Sequence, residues 1–154
     1  MKSLFENWRH YLKENKINTR DEIIDFIKNN PDQNINIDSP KGSIKGFGGA
    51  DEKLPFDYGE WPHLNNPADN MGWDLIIVPS ATKDDLNLIP VGYVEYDPEL
   101  KPKKIGNDKI IIAPEGNYLQ SDKKIIDDFF SSVEHIKKPT WLQGDKDENH
   151  ERTT

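Results

Sequence analysis

Apolar positions near the start of the chain recur at helical spacing. In residues 3–14, SLFENWRHYLKE, Leu4, Phe5, Trp8, Tyr11 and Leu12 share one face, while Glu6, Arg9, Lys13 and Glu14 line the other. That pattern predicts an amphipathic helix whose aromatic stripe suits either the core or a partner's groove. Thr19 with Glu22 three residues later forms the capping-box signature of a second helix. It buries Ile23, Ile24 and Ile27 and ends at Asn29-Asn30-Pro31. Both helices are expected to cover one side of the core. The period then changes. Asn34 to Asp38 alternates, with Ile35 and Ile37 on one face, and predicts a strand. After a turn at Ser39-Pro40-Lys41-Gly42, residues 43–47 read as short and extended.

Pro55 to Pro79 is the stretch that organises the rest. Gly59, Pro62, Asn65-Asn66-Pro67 and Gly72 predict a turn-rich loop as far as Trp73. Leu75 to Val78 is then a strand buried on both faces and stopped by Pro79. On this reading Asp69 and Asp74 stand on the lip of a rigid sheet. Residues 81–87 form a polar connection. Leu88 to Tyr96 is a strand in which Val91, Tyr93 and Glu95 oppose Gly92, Val94 and Tyr96. A charged loop follows over 97–107, and Asp108 to Ala113 is another central strand closed by Pro114. Ser121 is expected to cap a helix from Asp122 to about Val133, with Ile125, Ile126, Phe129, Phe130 and Val133 on its apolar face. Residues 139–142 add a last short strand. From Gly144 onward nothing is apolar, and the sequence predicts a solvated tail. Strands joined by loops with little helix between them point to antiparallel or barrel-like packing rather than a doubly wound sheet.

Composition narrows the chemistry. The chain has 154 residues, enough for one domain with a sizeable core. Its net charge of −8 argues against a nucleic-acid partner, and its lack of cysteine excludes disulfides, zinc-thiolate sites and thiol nucleophiles. No apolar run is long enough to span a bilayer, and the first residues lack a signal-peptide core, so a cytoplasmic protein without a membrane partner is expected. Charge is not spread evenly. Between Asp51 and Asp74 six acids face one lysine, a local excess that calls for a cation. Gly46, Gly48 and Gly49 around Phe47 lack the lysine-serine/threonine ending of a phosphate loop and read as a turn. The four histidines lie far apart, with no HExxH spacing and no serine-elbow motif.

Four segments in this order resemble the family I soluble inorganic pyrophosphatases: LPFDYGEW (54–61), ADNMGWDLIIVP (68–79), PVGYV (90–94) and NDKIIIAP (107–114). The resemblance covers roughly residues 34–142. It implies an α+β, mainly β fold, a small closed or partly open OB-like barrel with flanking helices. Residues 1–31 would be a helical leader and 143–154 an acidic disordered tail. It also implies Mg²⁺-dependent hydrolysis of diphosphate, or of another small phosphorylated ligand. Asp69 and Asp74 match the first and last aspartates of the family's metal motif, and Asp97 lies close to its later metal carboxylate. Lys45 and Lys109 match phosphate-binding lysines, and Tyr58 the signature-loop tyrosine. Asp38 stands near an early glutamate. Asp69, Asp74 and Tyr58 are thereby expected to be catalytic, and Asp69, Asp74 and Asp97 to hold the metal.

The same comparison exposes departures. The family's middle aspartate, which hydrogen-bonds the attacking water, is Met71 here, and a metal aspartate is Asn107. Phe47 replaces a glutamate, Leu54 a tyrosine, and Val133-Glu134 a tyrosine-lysine pair. No arginine occurs between Arg20 and Arg152. The residues kept cluster on metal binding, while those lost cluster on phosphate binding and water activation. Reduced or altered hydrolysis is therefore expected. The alternative is a non-catalytic binding or virion-associated protein recruited through residues 3–14, whose FENWR-type leader resembles one carried by assorted marine phage proteins. On that reading its location is the host cytoplasm or the virion.

Overall fold

The computed structural model describes residues 17, 19–47, 50–96, 107–133 and 136–142. The amphipathic segment 3–14, the tail from 143 and the charged loop with Asp97, Lys101, Lys103 and Lys104 lie outside them. Helix α1 (Arg20–Asn29) starts where the capping box predicts. Thr19 Oγ accepts from the Glu22 N–H at 3.2 Å, and Glu22 Oε1 accepts from the Thr19 N–H at 3.1 Å. Two of the first-turn amides that no helical carbonyl can reach are satisfied in this way. The helix buries Phe26 as well as the three predicted isoleucines.

The strands are β1 (Asn36–Ser39), β2 (Ile44–Phe47), β3 (Ala50–Lys53), β4 (Asp57–Asn66), β5 (Met71–Ile77), β6 (Leu88–Val94), β7 (Lys109–Pro114) and β8 (Thr140–Trp141), with helix α2 (Gln120–Ser131) before β8. Six of them form one sheet in the order β1-β4-β5-β7-β6-β8, and β2 pairs with β3 in a separate hairpin. The architecture is mixed α+β and mainly strand, as the alternation of short apolar runs and loops implies. Two expectations need correction. The sheet is not purely antiparallel, because β7 inserts between β5 and β6 and runs parallel to β5. Nor is a closed barrel found among the described residues, where β1 and β8 stand as separate edges.

The predicted loop before Trp73 is also corrected. Residues 57–66 are a ten-residue strand and β5 begins at Met71. The glycines there do not break the sheet; they let neighbouring backbone come close. A Cβ on Gly59 would collide with the Asn36 carbonyl oxygen of β1, and one on Gly72 would lie 2.5 Å from the Trp61 carbonyl. Pro62 falls in the register break between Trp61 and Asn65, where no ladder bond is required of it. The true turn is short, Asn66 to Asn70, closed by the Asn70 N–H on the Asn66 carbonyl at 2.7 Å.

Among the described residues, one helix lies on each face of the sheet. Leu75, Ile76, Ile77, Val78 and Ile110 to Ala113 are fully buried between them, as the continuous apolar runs predict. On the near face Phe56 packs against Phe129 and Phe130 of α2, with ring centroids 5.2 and 5.9 Å apart. Trp141 of β8 donates from Nε1 to Asp127 at 2.8 Å and ties the same helix down. On the far face α1 lies against β6, and the Arg20 guanidinium sits 3.8 Å above the Tyr93 ring. Two details of α2 differ from expectation. Ser121 is inside the helix, and the buried Asp122 accepts from the Leu119 N–H at 2.9 Å in its stead. Ile125 is 38 % exposed, because the apolar stripe that faces the sheet is centred on Ile126 and Phe130.

Candidate functional site

Strand register builds the site. Asn36 pairs with Glu60, Glu60 with Asp74, Asp74 with Lys109, and Lys109 with Val94. Residues directly opposite one another in a sheet share a face. A single row across the near face therefore reads Asn36, Glu60, Asp74, Lys109, Val94. Tyr58, two residues before Glu60, stands on the same face. Its hydroxyl donates to Asp74 Oδ2 at 2.9 Å, and the Lys109 ammonium donates to the same oxygen at 3.1 Å. Lys109 also hydrogen-bonds Tyr58 and lies 5.3 Å from the centres of the Tyr58 and Tyr96 rings. Lys45, brought over by the β2–β3 hairpin, approaches the Tyr58 ring to 4.9 Å. Tyr58 of β4 is thus the hub at which two lysines and an aspartate from three other strands meet.

Protonation states follow from burial and neighbours. Burial pushes the Tyr58 hydroxyl well above the ordinary phenol value, the nearby Lys109 charge notwithstanding, so it is a fixed donor. Burial alone would lower the Lys109 ammonium, but its neighbours, the Asp74 carboxylate and the Tyr58 oxygen among them, draw it above the ordinary lysine value. Glu60 is lifted by partial burial and then by the charges of Asp38, Asp74 and Asp69. Three further carboxylates are therefore near enough for their charges to be felt at Glu60.

Each residue expected from the sequence can now be placed. Tyr58, Asp74, Lys45 and Lys109 come together. Asp69 is near enough for Glu60 to feel its charge, yet its Oδ1 accepts from the Met71 N–H at 3.0 Å, the Asx-turn that its loop position allows. Asp38 accepts from Asn36 Nδ2 at 3.0 Å. Asp97 lies outside the described residues. Glu60 is the residue that sequence reasoning passed over. Its signal was there, two residues after Tyr58 in an alternating segment, but it was hidden once 55–72 was read as a loop.

Carboxylate oxygens are the ligands a hard divalent cation takes, and Glu60, raised by burial and then by the charges of Asp38, Asp74 and Asp69, is a group that such an ion would relieve. No three acidic or histidine side chains converge on one point among the described residues, so the site is not a closed cage. Mg²⁺ commonly retains several waters and needs few protein ligands. Among the described residues no helix is long and apolar enough to cross a membrane. The features fixed to this point are a mainly strand α+β protein with a mixed acid, lysine and tyrosine row on one sheet face. Comparison of the chain with family models, with curated proteins and with solved structures gives no match.

Proposed function

We propose that the near-face row is the site of a Mg²⁺-dependent hydrolase acting on diphosphate or a closely related phosphoanhydride, at reduced or altered efficiency, on a pyrophosphatase-type scaffold. The observation that carries this is convergence. Tyr58, Asp74, Lys45 and Lys109, singled out in four separate segments by the resemblance, gather about one tyrosine ring.

Diphosphate is densely anionic, and its hydrolysis is limited by charge and positioning more than by covalent chemistry. Lys109 and Lys45 supply fixed positive charge against the phosphate oxygens. Tyr58, held protonated, orients Asp74 and offers no competing negative charge. Asp74, whose Oδ2 is taken by Tyr58 and Lys109, keeps a partly exposed side chain with Glu60 opposite. Asp74, Glu60 and Asp69 are the described residues that would hold the ion. Mg²⁺, when bound, supplies Lewis acidity and charge neutralisation. Met71, 62 % exposed at the start of β5, has no oxygen with which to orient a water. Loss of such a group costs on the order of 10²–10⁴-fold in rate.

Phosphate release from diphosphate with Mg²⁺, wild type against Asp74→Asn, tests the reading. Release by the wild type and a fall on the order of 10²-fold in the variant support it. Equal rates overturn it. Met71 and the neutral Asn107 favour a second reading, in which the face holds a phosphorylated ligand without turnover. Saturable binding of Mg²⁺-diphosphate with no phosphate release would select that one. Recruitment through residues 3–14 concerns residues outside those described; deleting 1–16 and following partner association tests it separately.

A further inference from the structure

Asp108 and Lys109 are neighbours on one extended strand, so their side chains leave it on opposite faces. Lys109 goes to the near face and Asp74. Asp108 goes to the far face, where Arg20 Nη1 donates to its Oδ2 at 2.9 Å and to Glu95 Oε1 at 3.1 Å. The guanidinium that does this sits over Tyr93, its Cζ 3.8 Å from the ring centre, and belongs to the first residue of α1. Arg20 therefore grips three groups at once. Tyr93 and Glu95 come from β6 and the chain just after it, and Asp108 from the start of β7. These are the two strand ends that meet at the Val94–Lys109 pair.

We propose that Arg20 is a positioning residue for Lys109: by clamping β6 to β7 from the far face it fixes the rotation of β7 that delivers the ammonium to Asp74 Oδ2. This deepens the reading of Lys109 as a phosphate-contacting cation and rests on it for its catalytic meaning. The physical basis is that a strand end is free to twist unless both of its faces are held. Lys109 sits at the first position of β7, with its ladder only beginning. The apolar run Ile110 to Ala113 fixes the strand further along but not its first residue. Both bonds come from Nη1, which leaves the rest of the delocalised guanidinium over the ring, an arrangement that suits arginine better than a strongly hydrated lysine ammonium.

A purely structural role, holding α1 on the sheet, predicts something different. The two are separated by comparing Arg20→Gln with Thr19→Ala, which weakens α1 at its cap and leaves the clamp intact. The readouts are the lysine-selective ¹H–¹⁵N NMR signal of the Lys109 ammonium, in which burial slows hydrogen exchange, and the kcat for diphosphate. In Arg20→Gln the protected ammonium signal is expected to shift or vanish, and kcat to fall about tenfold with KM little changed. In Thr19→Ala both stay as in the wild type while the melting temperature drops. An Arg20→Gln protein with unaltered Lys109 signal overturns the proposal, as does a Thr19→Ala protein that loses it. Should Arg20→Gln fail to fold, Glu95→Ala removes one of the two bonds without leaving a buried charge. A smaller change in the same signal is then expected, and no change overturns the clamp. The NMR arm decides the matter even if diphosphate proves not to be hydrolysed, so failure of the clamp and failure of the proposed activity are distinguishable.

Discussion

Two ion pairs leave adjacent residues of β7 and are built in opposite senses. In Lys109–Asp74 the cation is buried, 4 % exposed, and the carboxylate is 21 % exposed. In Arg20–Asp108 the carboxylate is buried, 8 % exposed, and the cation is 25 % exposed. A carboxylate that is backed by a fixed inner cation and faces outward can accept a further ligand. One that faces inward with its charge already answered cannot. On the function proposed above, the orientation of the pair, more than its presence, makes the near face the working side and the far face the support.

The sharpest way to break this comparison is to remove the same kind of group on both faces and follow activity. Lys109→Met is expected to lower Mg²⁺-dependent phosphate release by about 10²–10³-fold, the loss of one charge-stabilising donor. Asp74 stays tied to Tyr58, so the fold should survive. Far-face variants reach the reaction only through Lys109, and about a tenfold loss is expected of them. Equal losses on the two faces, measured as kcat/KM, would erase the distinction.

Stability should order the faces the other way. Arg20→Met leaves the Asp108 carboxylate buried without its guanidinium and should cost about 3 kcal/mol at neutral pH in urea unfolding. Lys109→Met leaves only the half-open Asp74, and its cost should be smaller. The pH dependence has a definite sign. Burial lifts the Asp108 carboxyl above its ordinary value, although the Arg20 hydrogen bond and charge pull it down. The native state then binds this proton more tightly than the unfolded chain does, so the group's penalty is present above the folded pKa and is relieved as pH falls through it. In Arg20→Met, with the opposing pull gone, the melting temperature should rise as pH is lowered from 7 into the window above the usual aspartate value. Adding Asp108→Asn should flatten that rise.

How much of this was legible in the residues depended on whether a local rule had one meaning. The capping box at Thr19 and Glu22 has one physical cause, and α1 begins there. Ile110 to Ala113 and Leu75 to Val78 can only be buried, and they are. Glycine has two meanings. At Gly59 and Gly72 it permits a neighbouring strand to approach, which no single sequence distinguishes from a turn. That ambiguity hid β4, and with it Glu60. The parallel pairing of β5 with β7 could not be read either, because it depends on β7 inserting between two strands that precede it in the chain. The clamp was equally invisible, since Arg20 and Asp108 lie 88 positions apart and nothing local announces the pair. Thr19→Ala is the matching control for the legible part. It should cost about 1 kcal/mol in thermal or urea unfolding, the usual worth of an N-cap, without disturbing either ion pair.

The smallest expected effect tests the near face most directly. Glu60 stands opposite Asp74 with its Oε1 2.9 Å from where a Cβ on Gly72 would lie, so the carboxylate rests in the space that glycine leaves. Its carboxyl is raised by burial and by Asp38, Asp74 and Asp69. Charge at Glu60 therefore opposes folding above the raised pKa, and the opposition fades as pH falls through it. Glu60→Gln should consequently stabilise the protein at neutral pH, by no more than about 0.5 kcal/mol once solvent screening is allowed for. With Mg²⁺ the sign should reverse, because an ion held by these carboxylates makes the negative charge favourable and draws the Glu60 pKa down. A ¹³C-carboxyl titration of Glu60 with and without Mg²⁺ reads this without any assay of hydrolysis. A pKa that falls on adding Mg²⁺, and a Glu60→Gln protein that loses its advantage in the same buffer, fit an open cation site. If the Glu60 titration is the same in both buffers, the acids on this face are a solvated charge cluster and the outward carboxylate of Asp74 has no ion to hold.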